Sequence, residues 1–414
     1  MKVEVAKAQY DVVIVGGGLV GASFACMLAH KGAKTPIRIL VTEAIESIQA
    51  STSFDARSTA LSYGSQQLYA KLGLWETLAP YSTPIAKIHV SDRGHFGAVR
   101  IDRSEMGVAA LGYVAENQHL GVVLTQALQN SESIDYLCPA IISKMSPTAT
   151  GMQLQLQGRE GQQQCIDAAL VVLADGGKSS LSASLGIGQQ ITSYEQSAII
   201  ANVAFADDHR NIAYERFTES GPLAILPLQM MQGENRGALI WTVPQEEAGT
   251  MMALSDADFL LALQSRFGHR LGMFNKVGAR ASYPLRLSIA KEQVRPGLVL
   301  LGNVAHSLHP VAGQGLNLAL RDADVLAQIL ARANNAGKTL GQMSVLQDYV
   351  AAQSDDQLAT TRFSHYMTRL FSNSHPALVW ARKFGLFSID LVPLFKRSFA
   401  RQAMGLVVPN KRSA

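Results

Sequence analysis

Short, uniformly apolar runs separate stretches of helical and two-residue periodicity along this chain. Residues 10–15 (YDVVIV) read as a strand buried on both faces, as central parallel strands are. They lead into Gly16-Gly17-Gly18-Leu19-Val20-Gly21, a helix over 22–30 closed by Gly32, and a second apolar strand over 37–42 ending at Glu43. Alternating residues over 84–103 predict antiparallel strands. A helix follows over 117–129. A polar hairpin is predicted over 151–157 and 163–167, and a separate buried strand over 168–174, ending in Asp175-Gly176. From 194 to 283 the pattern is strand-rich, with turns at Gly221-Pro222, Gly233 and Gly237, and predicts a second sheet that covers a cleft. A buried strand over 297–301 precedes Gly302-Asn303. Leu316, Leu320, Ala323, Leu326 and Leu330 then set a helix over 315–333. The remainder reads as helical.

Composition narrows this picture. With 414 residues, 48% hydrophobic and 16% charged, the chain suits a large core and excludes disordered, collagen-like and coiled-coil classes. Its three cysteines include no C-x-x-C pair, so neither a disulfide scaffold nor a zinc ribbon is expected, and a reducing cytoplasm is. No signal peptide pattern opens the sequence, and the longest uncharged run, 297–320, is too polar to span a bilayer. Charge is uneven. From residue 361 onward nine Lys or Arg face one acid, Asp390, a net of +8; the whole chain carries +4, so the rest carries −4. Basic residues mixed with Phe, Trp and Leu there fit a membrane surface, a partner protein or a solvated outer face. No motif supports nucleic-acid binding.

The order strand, G-x-G-x-x-G, helix, strand, acid is that of a dinucleotide-binding unit. Gly16 permits the turn, Gly18 lets a pyrophosphate approach the backbone, and Gly21 lets helix and strand pack. The helix N-terminus presents free N–H groups to phosphate, and Glu43 stands where an acid binds a ribose hydroxyl. An ADP moiety is expected, of NAD or of FAD. No second glycine fingerprint exists for a separate nicotinamide domain.

Three junctions, Gly16 to Gly21, Asp175-Gly176, and Gly302-Asn303 with Gly313 to Asn317, resemble those of the class A flavoprotein monooxygenases of p-hydroxybenzoate-hydroxylase-like fold. Residues 54–61 (FDARSTAL), 89–95 (HVSDRGH), 215–218 (ERFT), 221–224 (GPLA) and 308–318 (LHPVAGQGLNL) are similar to the ubiquinone-biosynthesis hydroxylases within that family. Two positions depart from the wider pattern: Asn303 replaces an acid, and Ser182 stands where Arg is frequent. A flavin halogenase signature, W-x-W-x-I-P, is not supplied by Trp241-Thr242-Val243-Pro244.

The resemblance implies an α/β fold: a discontinuous Rossmann-like FAD-binding domain (1–83, 104–190 and 286–333), an antiparallel-sheet substrate domain (84–103 and 191–285) and a basic helical region (334–414). It implies FAD as cofactor and NADPH or NADH as co-substrate. The reduced flavin would add O2 at C4a, and the hydroperoxide would pass its distal oxygen to a polyprenylated methoxyphenol of the 2-octaprenyl-6-methoxyphenol type. Another ring position of the same pathway, or a prenyl-binding scaffold without turnover, are the alternatives. Cofactor contacts are expected at Gly16, Gly18, Gly21, Glu43, Asp175, Gly176, Gly302, Asn303, Gly313, Gly315, Leu316 and Asn317. Arg57 joins them, or else forms a surface ion pair; Asn117 joins them, or else caps its helix. His309, Pro310, Gly313 and Gln314 would position flavin and substrate, with no catalytic triad. His306 and His309 lack a third ligand, so no metal is expected. Implied partners are a polyprenyl-phenol, O2, other ubiquinone-biosynthesis proteins and the inner membrane surface, with the body in the cytoplasm.

Overall fold

A computed structural model describes residues 9–31, 35–46, 56–92, 98–158, 161–308, 313–371, 400–401 and 404–406, with side chains of the last long helix as far as Ser364. Five parallel strands form the centre of the first sheet, in the order Leu298–Leu300, Gln163–Leu173, Gln9–Val15, Ile39–Thr42 and Ile134–Leu137. Val12 and Ile14 face one side, where they meet Phe24, Leu124 and Leu326 from three helices, Leu19–His30, Asn117–Gln129 and Gln314–Asn335. Val13 and Val15 face the other, against Met145, Leu154 and Ile166. Both faces are covered, which is why residues 12–15, 39–41, 168–173 and 298–300 are apolar without alternation. The strand Gln163–Leu173 is one continuous element. Its first half pairs antiparallel with Met152–Gln157 and its second half parallel with Gln9–Val15, so the expected hairpin and buried strand are a single strand.

A second sheet of nine strands carries the long strands Gln189–Phe205, Gly221–Met231 and Glu234–Pro244, joined by Lys87–Asp92 and Ala98–Asp102. Alternation divides its faces. Ile199, Leu223, Leu239 and Trp241 pack outward against Phe259, Leu263 and Phe267 of the helix Asp256–Phe267 and against Ala248 of the helix Gln245–Ala253. The sequence pattern does not predict these helices inside a strand-rich region. The second starts at Ser255, whose hydroxyl accepts from the Asp258 N–H at 3.1 Å. Ile200, Ala224 and Ile240 turn inward, towards the first domain. Strands run through the expected domain boundaries at 190/191 and 285/286, and His306–Ser307 pairs with Ser288 and Ile289 of the second sheet.

A small third sheet, Ser58–Ser62, Gly112–Glu116 and Ser82–Ile85, bridges the two bodies. No helix among the described residues is long and apolar enough to cross a membrane. Most of the basic C-terminal region lies outside the described residues. Its described end returns to the body: Ala400 and Met404 are buried beside Val90 and Ala213, and the Met404 carbonyl accepts from the Gly64 N–H at 2.9 Å.

Candidate active site

Four parallel strands end at one crevice, where ligands of open α/β sheets bind. Val15, Thr42, Ala174 and Leu301 bring Gly16, Glu43, Asp175 and Asn303 around a cavity of about 700 Å³. The first turn is packed so that only glycine fits at two of its three fingerprint positions. A Cβ at Gly16 would lie 2.6 Å from the Ala174 carbonyl oxygen, and one at Gly21 would lie 1.9 Å from that of Gly16. Gly16 also has φ of +106°, a left-handed conformation that favours glycine. At Gly18, by contrast, a Cβ would meet nothing within 4 Å. Gly18 is the N-cap of Leu19–His30 and no side chain caps that helix end, so its first N–H groups open onto the crevice. This glycine-lined approach and the volume fit a dinucleotide's pyrophosphate.

The Glu43 carboxylate accepts from the Gly17 N–H at 2.8 Å and the Ile45 N–H at 3.0 Å, which fixes it at the rim. Asp175 turns on itself, accepting from the N–H groups of Gly177 and Ser179, each at 2.9 Å. Gly176 follows with φ of +72°. Arg57 is exposed, lines the cavity and lies over the Tyr283 ring, 5.3 Å from its centroid. Asn117 also lines it. Its Oδ1 accepts from the Thr59 hydroxyl at 2.6 Å, and the helix N-cap is Glu116, not Asn117. Thr59 and Lys178 line the same cavity, and no spacing in the sequence marks them.

The third junction combines openness and rigidity. Gly302 has φ of +75°, and Asn303 beside it is exposed into the crevice. Gly313, with φ of +61°, starts Gln314–Asn335 without a side-chain cap. Gly315 and Leu316 face a cavity, whereas Gln314 is buried at 1% exposure and lines neither cavity. Asn317 is buried and locked by four hydrogen bonds. Its Oδ1 accepts from the Ser62 N–H (2.8 Å) and the Ser65 hydroxyl (2.7 Å). Its amide donates to the carbonyls of Ala60 (2.8 Å) and Gly313 (2.7 Å). Asn317 therefore positions this helix start against the bridging sheet. His309 and Pro310 lie outside the described residues. His306 is bound to Asp322 at 2.6 Å, and no group of three potential metal ligands occurs among the described residues.

A second cavity of about 380 Å³ lies under the inner face of the nine-stranded sheet. Its wall is mostly apolar, with Ile200, Ala213, Ala224, Leu226, Ile240 and Phe363, and carries Glu215, Thr242 and Ser307 among its polar members. Thr59, Asn303 and Leu316 line both cavities, so the two meet at the third junction.

Comparisons with known proteins agree with this geometry. The family model described as an FAD binding domain matches residues 9–355. The ubiquinone hydroxylase UbiL of Rhodospirillum rubrum is 37% identical over 395 residues, covering 95% of this chain and 89% of that one. The 3-demethoxyubiquinol 3-hydroxylase of Escherichia coli is 30% identical, covering 96% and 94%. The crystal structure of p-nitrophenol 4-monooxygenase from Pseudomonas putida superposes with a TM-score of 0.77 at 17% identity, covering 98% of this chain and all of that one. That last likeness shows the fold alone, an α/β architecture shared over nearly the whole chain.

Proposed function

This chain belongs to the FAD-binding-domain family, and from that premise we propose that it hydroxylates the ring of a polyprenylated phenol in ubiquinone biosynthesis, with FAD, NAD(P)H and O2. The observation that carries this reading is the junction of the two cavities at Thr59, Asn303 and Leu316. The residues of the first crevice would hold the cofactor, and its redox chemistry would be open to the chamber at that junction. When bound, FAD supplies the electron transfer and oxygen activation, which side chains cannot.

The chain's own residues do the rest. The N–H groups behind Gly18 hold phosphate, and Glu43 is placed for a ribose hydroxyl. The glycine-started helix Gln314–Asn335 directs its N-terminal dipole at the junction, where it stabilises negative charge. Ile200, Ala224 and Ile240 keep the chamber apolar, which favours a prenylated ring over water. A methoxyphenol substrate and the inner membrane surface belong to the same proposal, and the mostly apolar chamber supports its prenylated, water-insoluble character.

Filling the chamber separates substrate binding from cofactor binding. Ala224→Phe is expected to keep full FAD content and to raise the KM for the phenol roughly 5- to 150-fold, since overpacking an apolar site costs roughly 1–3 kcal/mol. Absorbance of the bound flavin and steady-state hydroxylation check it. In cells lacking this protein, grown with oxygen, mass spectrometry of the quinone fraction should show a polyprenyl-methoxyphenol that the restored gene clears. An unchanged quinone profile contradicts the proposed step.

A further inference from the structure

One carboxylate, Glu215, is the sole charged group among the described residues that line the largely apolar chamber. The strand Ile212–Thr218 reads I-A-Y-E-R-F-T, and its two-residue period sends Ala213, Glu215 and Phe217 inward. Tyr214 and Arg216 turn outward: the Tyr214 ring meets Phe267 edge-on, and Arg216 donates to the Phe267 carbonyl. Glu215 sits in register between Val90 and Ala224, both apolar. Among the described residues no hydrogen bond or ion pair engages its carboxylate. Burial pushes that carboxyl up to about 7, because the low-dielectric wall disfavours the charged form.

No neighbouring charge accounts for it. On the same face, Asp92 lies one pair further along at Phe217, and Arg236 is held by Glu116 at 2.6 Å. Tyr63 borders the same cluster. Lys87, His89 and Arg100 sit on the outer face, the strand Gly221–Met231 carries no charge, and Arg321 is paired with Asp356 at 2.7 Å. Glu215 is half-buried and lines the chamber, and a desolvated carboxylate without a partner costs stability unless a ligand completes it. On the proposed function the chamber receives a phenol, whose hydroxyl can donate one hydrogen bond.

We propose that Glu215 receives the phenolic hydroxyl of the bound ring and takes its proton during hydroxylation, so that it is a catalytic residue. This rests on the reading that a phenol occupies the chamber. The O–H bond breaks, its electron pair moves into the ring, and a conjugated ring carbon bonds to the electrophilic oxygen that FAD, NAD(P)H and O2 supply. The carboxyl then returns its proton to the ring oxygen while that carbon releases its hydrogen to water as a proton. The net change is C–H to C–OH; NAD(P)H gives two electrons, and the other oxygen atom of O2 leaves as water.

The test compares wild-type holoprotein with Glu215→Gln and Glu215→Asp, measuring hydroxylation of a polyprenylated phenol across pH. Wild-type kcat should rise with pH through an apparent pKa near 7. Glu215→Gln should keep its FAD, lose that limb, fall roughly 10²–10⁴-fold in kcat, and divert NAD(P)H oxidation to hydrogen peroxide. Glu215→Asp should retain the limb with reduced kcat. Misfolding is excluded by thermal unfolding. A carboxyl raised in the folded state loses its stabilising contribution as pH rises through about 7, so Glu215→Gln should unfold at a higher temperature than wild type above about pH 7, and not below about pH 4. A Gln variant with wild-type kcat and an unchanged limb overturns the role of Glu215 alone. Wild-type holoprotein that leaves the phenol untouched at every pH overturns both this role and the function on which it rests.

Discussion

Gly18→Trp should remove FAD from the protein and leave its fold in place. The backbone of Gly18 has φ of −67°, which any residue adopts, and a Cβ there meets nothing within 4 Å. The apo chain therefore accepts the indole at the cost of a weaker helix N-cap, about 1 kcal/mol. The same open space is where a pyrophosphate must come to the helix N-terminus. An indole there displaces charge-assisted hydrogen bonds from at least two N–H groups, each about 1.5–3 kcal/mol, so affinity falls by about 10²–10⁴-fold. Flavin absorbance after gel filtration and the thermal midpoint of the apo form read the two effects separately. Gly21→Ala is the contrasting case. Its Cβ would sit 1.9 Å from the Gly16 carbonyl oxygen, so strand and helix must part and the fold itself weakens. Flavin lost by Gly21→Ala and kept by Gly18→Trp would put the phosphates elsewhere.

The second large effect is on stability. Glu116 ends a strand of the bridging sheet, and Arg236 belongs to the nine-stranded sheet; they meet at 2.6 Å with both residues buried, 6% and 4% exposed. Arg236 also donates from Nε to the Gln229 carbonyl at 2.7 Å, and Glu116 accepts from Gln118 at 3.0 Å. Removing one partner strands the other charge, so Arg236→Ala should lose about 3–5 kcal/mol in denaturant unfolding. Replacing both, as Glu116→Leu with Arg236→Met, should recover most of that loss, because the desolvation of two charges disappears with them. Since Asn117 and Thr59 follow this joint into the nucleotide cavity, the single variant should also bind FAD more weakly. Equal stability of Arg236→Ala and wild type would show that the joint does not hold the two sheets together.

What the sequence reveals depends on how local the physics is. The helix Asn117–Gln129 has the limits its pattern predicts, because its apolar positions Leu120, Leu124 and Leu128 repeat at helical spacing within one element. The turn at Gly16 and the close packing at Gly21 are legible for the same reason: both arise within six residues. The helix Asp256–Phe267 carries a readable signal in Ser255, Asp258, Phe259, Leu263 and Phe267, yet the strands around it mask it. Glu215 is a different case. Both faces of its strand are buried, one against helices and one around the chamber, so the period of two does not show which face the carboxylate joins. Only the pairing with Val90 and Ala224 settles that. Asn317 and Gln314 stand three apart on one helix, and tertiary contacts decide that the first ties Ser62, Ser65, Ala60 and Gly313 together while the second is buried away from both cavities.

The central claim is that one oxygen atom of O2 enters a phenolic ring held where the two cavities meet. Purified holoprotein given NAD(P)H, a polyprenylated methoxyphenol and isotopically labelled O2 tests it directly. The expected product carries one labelled oxygen on the ring, with one NAD(P)H consumed per product, and Ala224→Phe forms far less of it while still holding FAD. Flavin-loaded protein that oxidises NAD(P)H equally with and without the phenol, and leaves the ring unlabelled, would contradict the account.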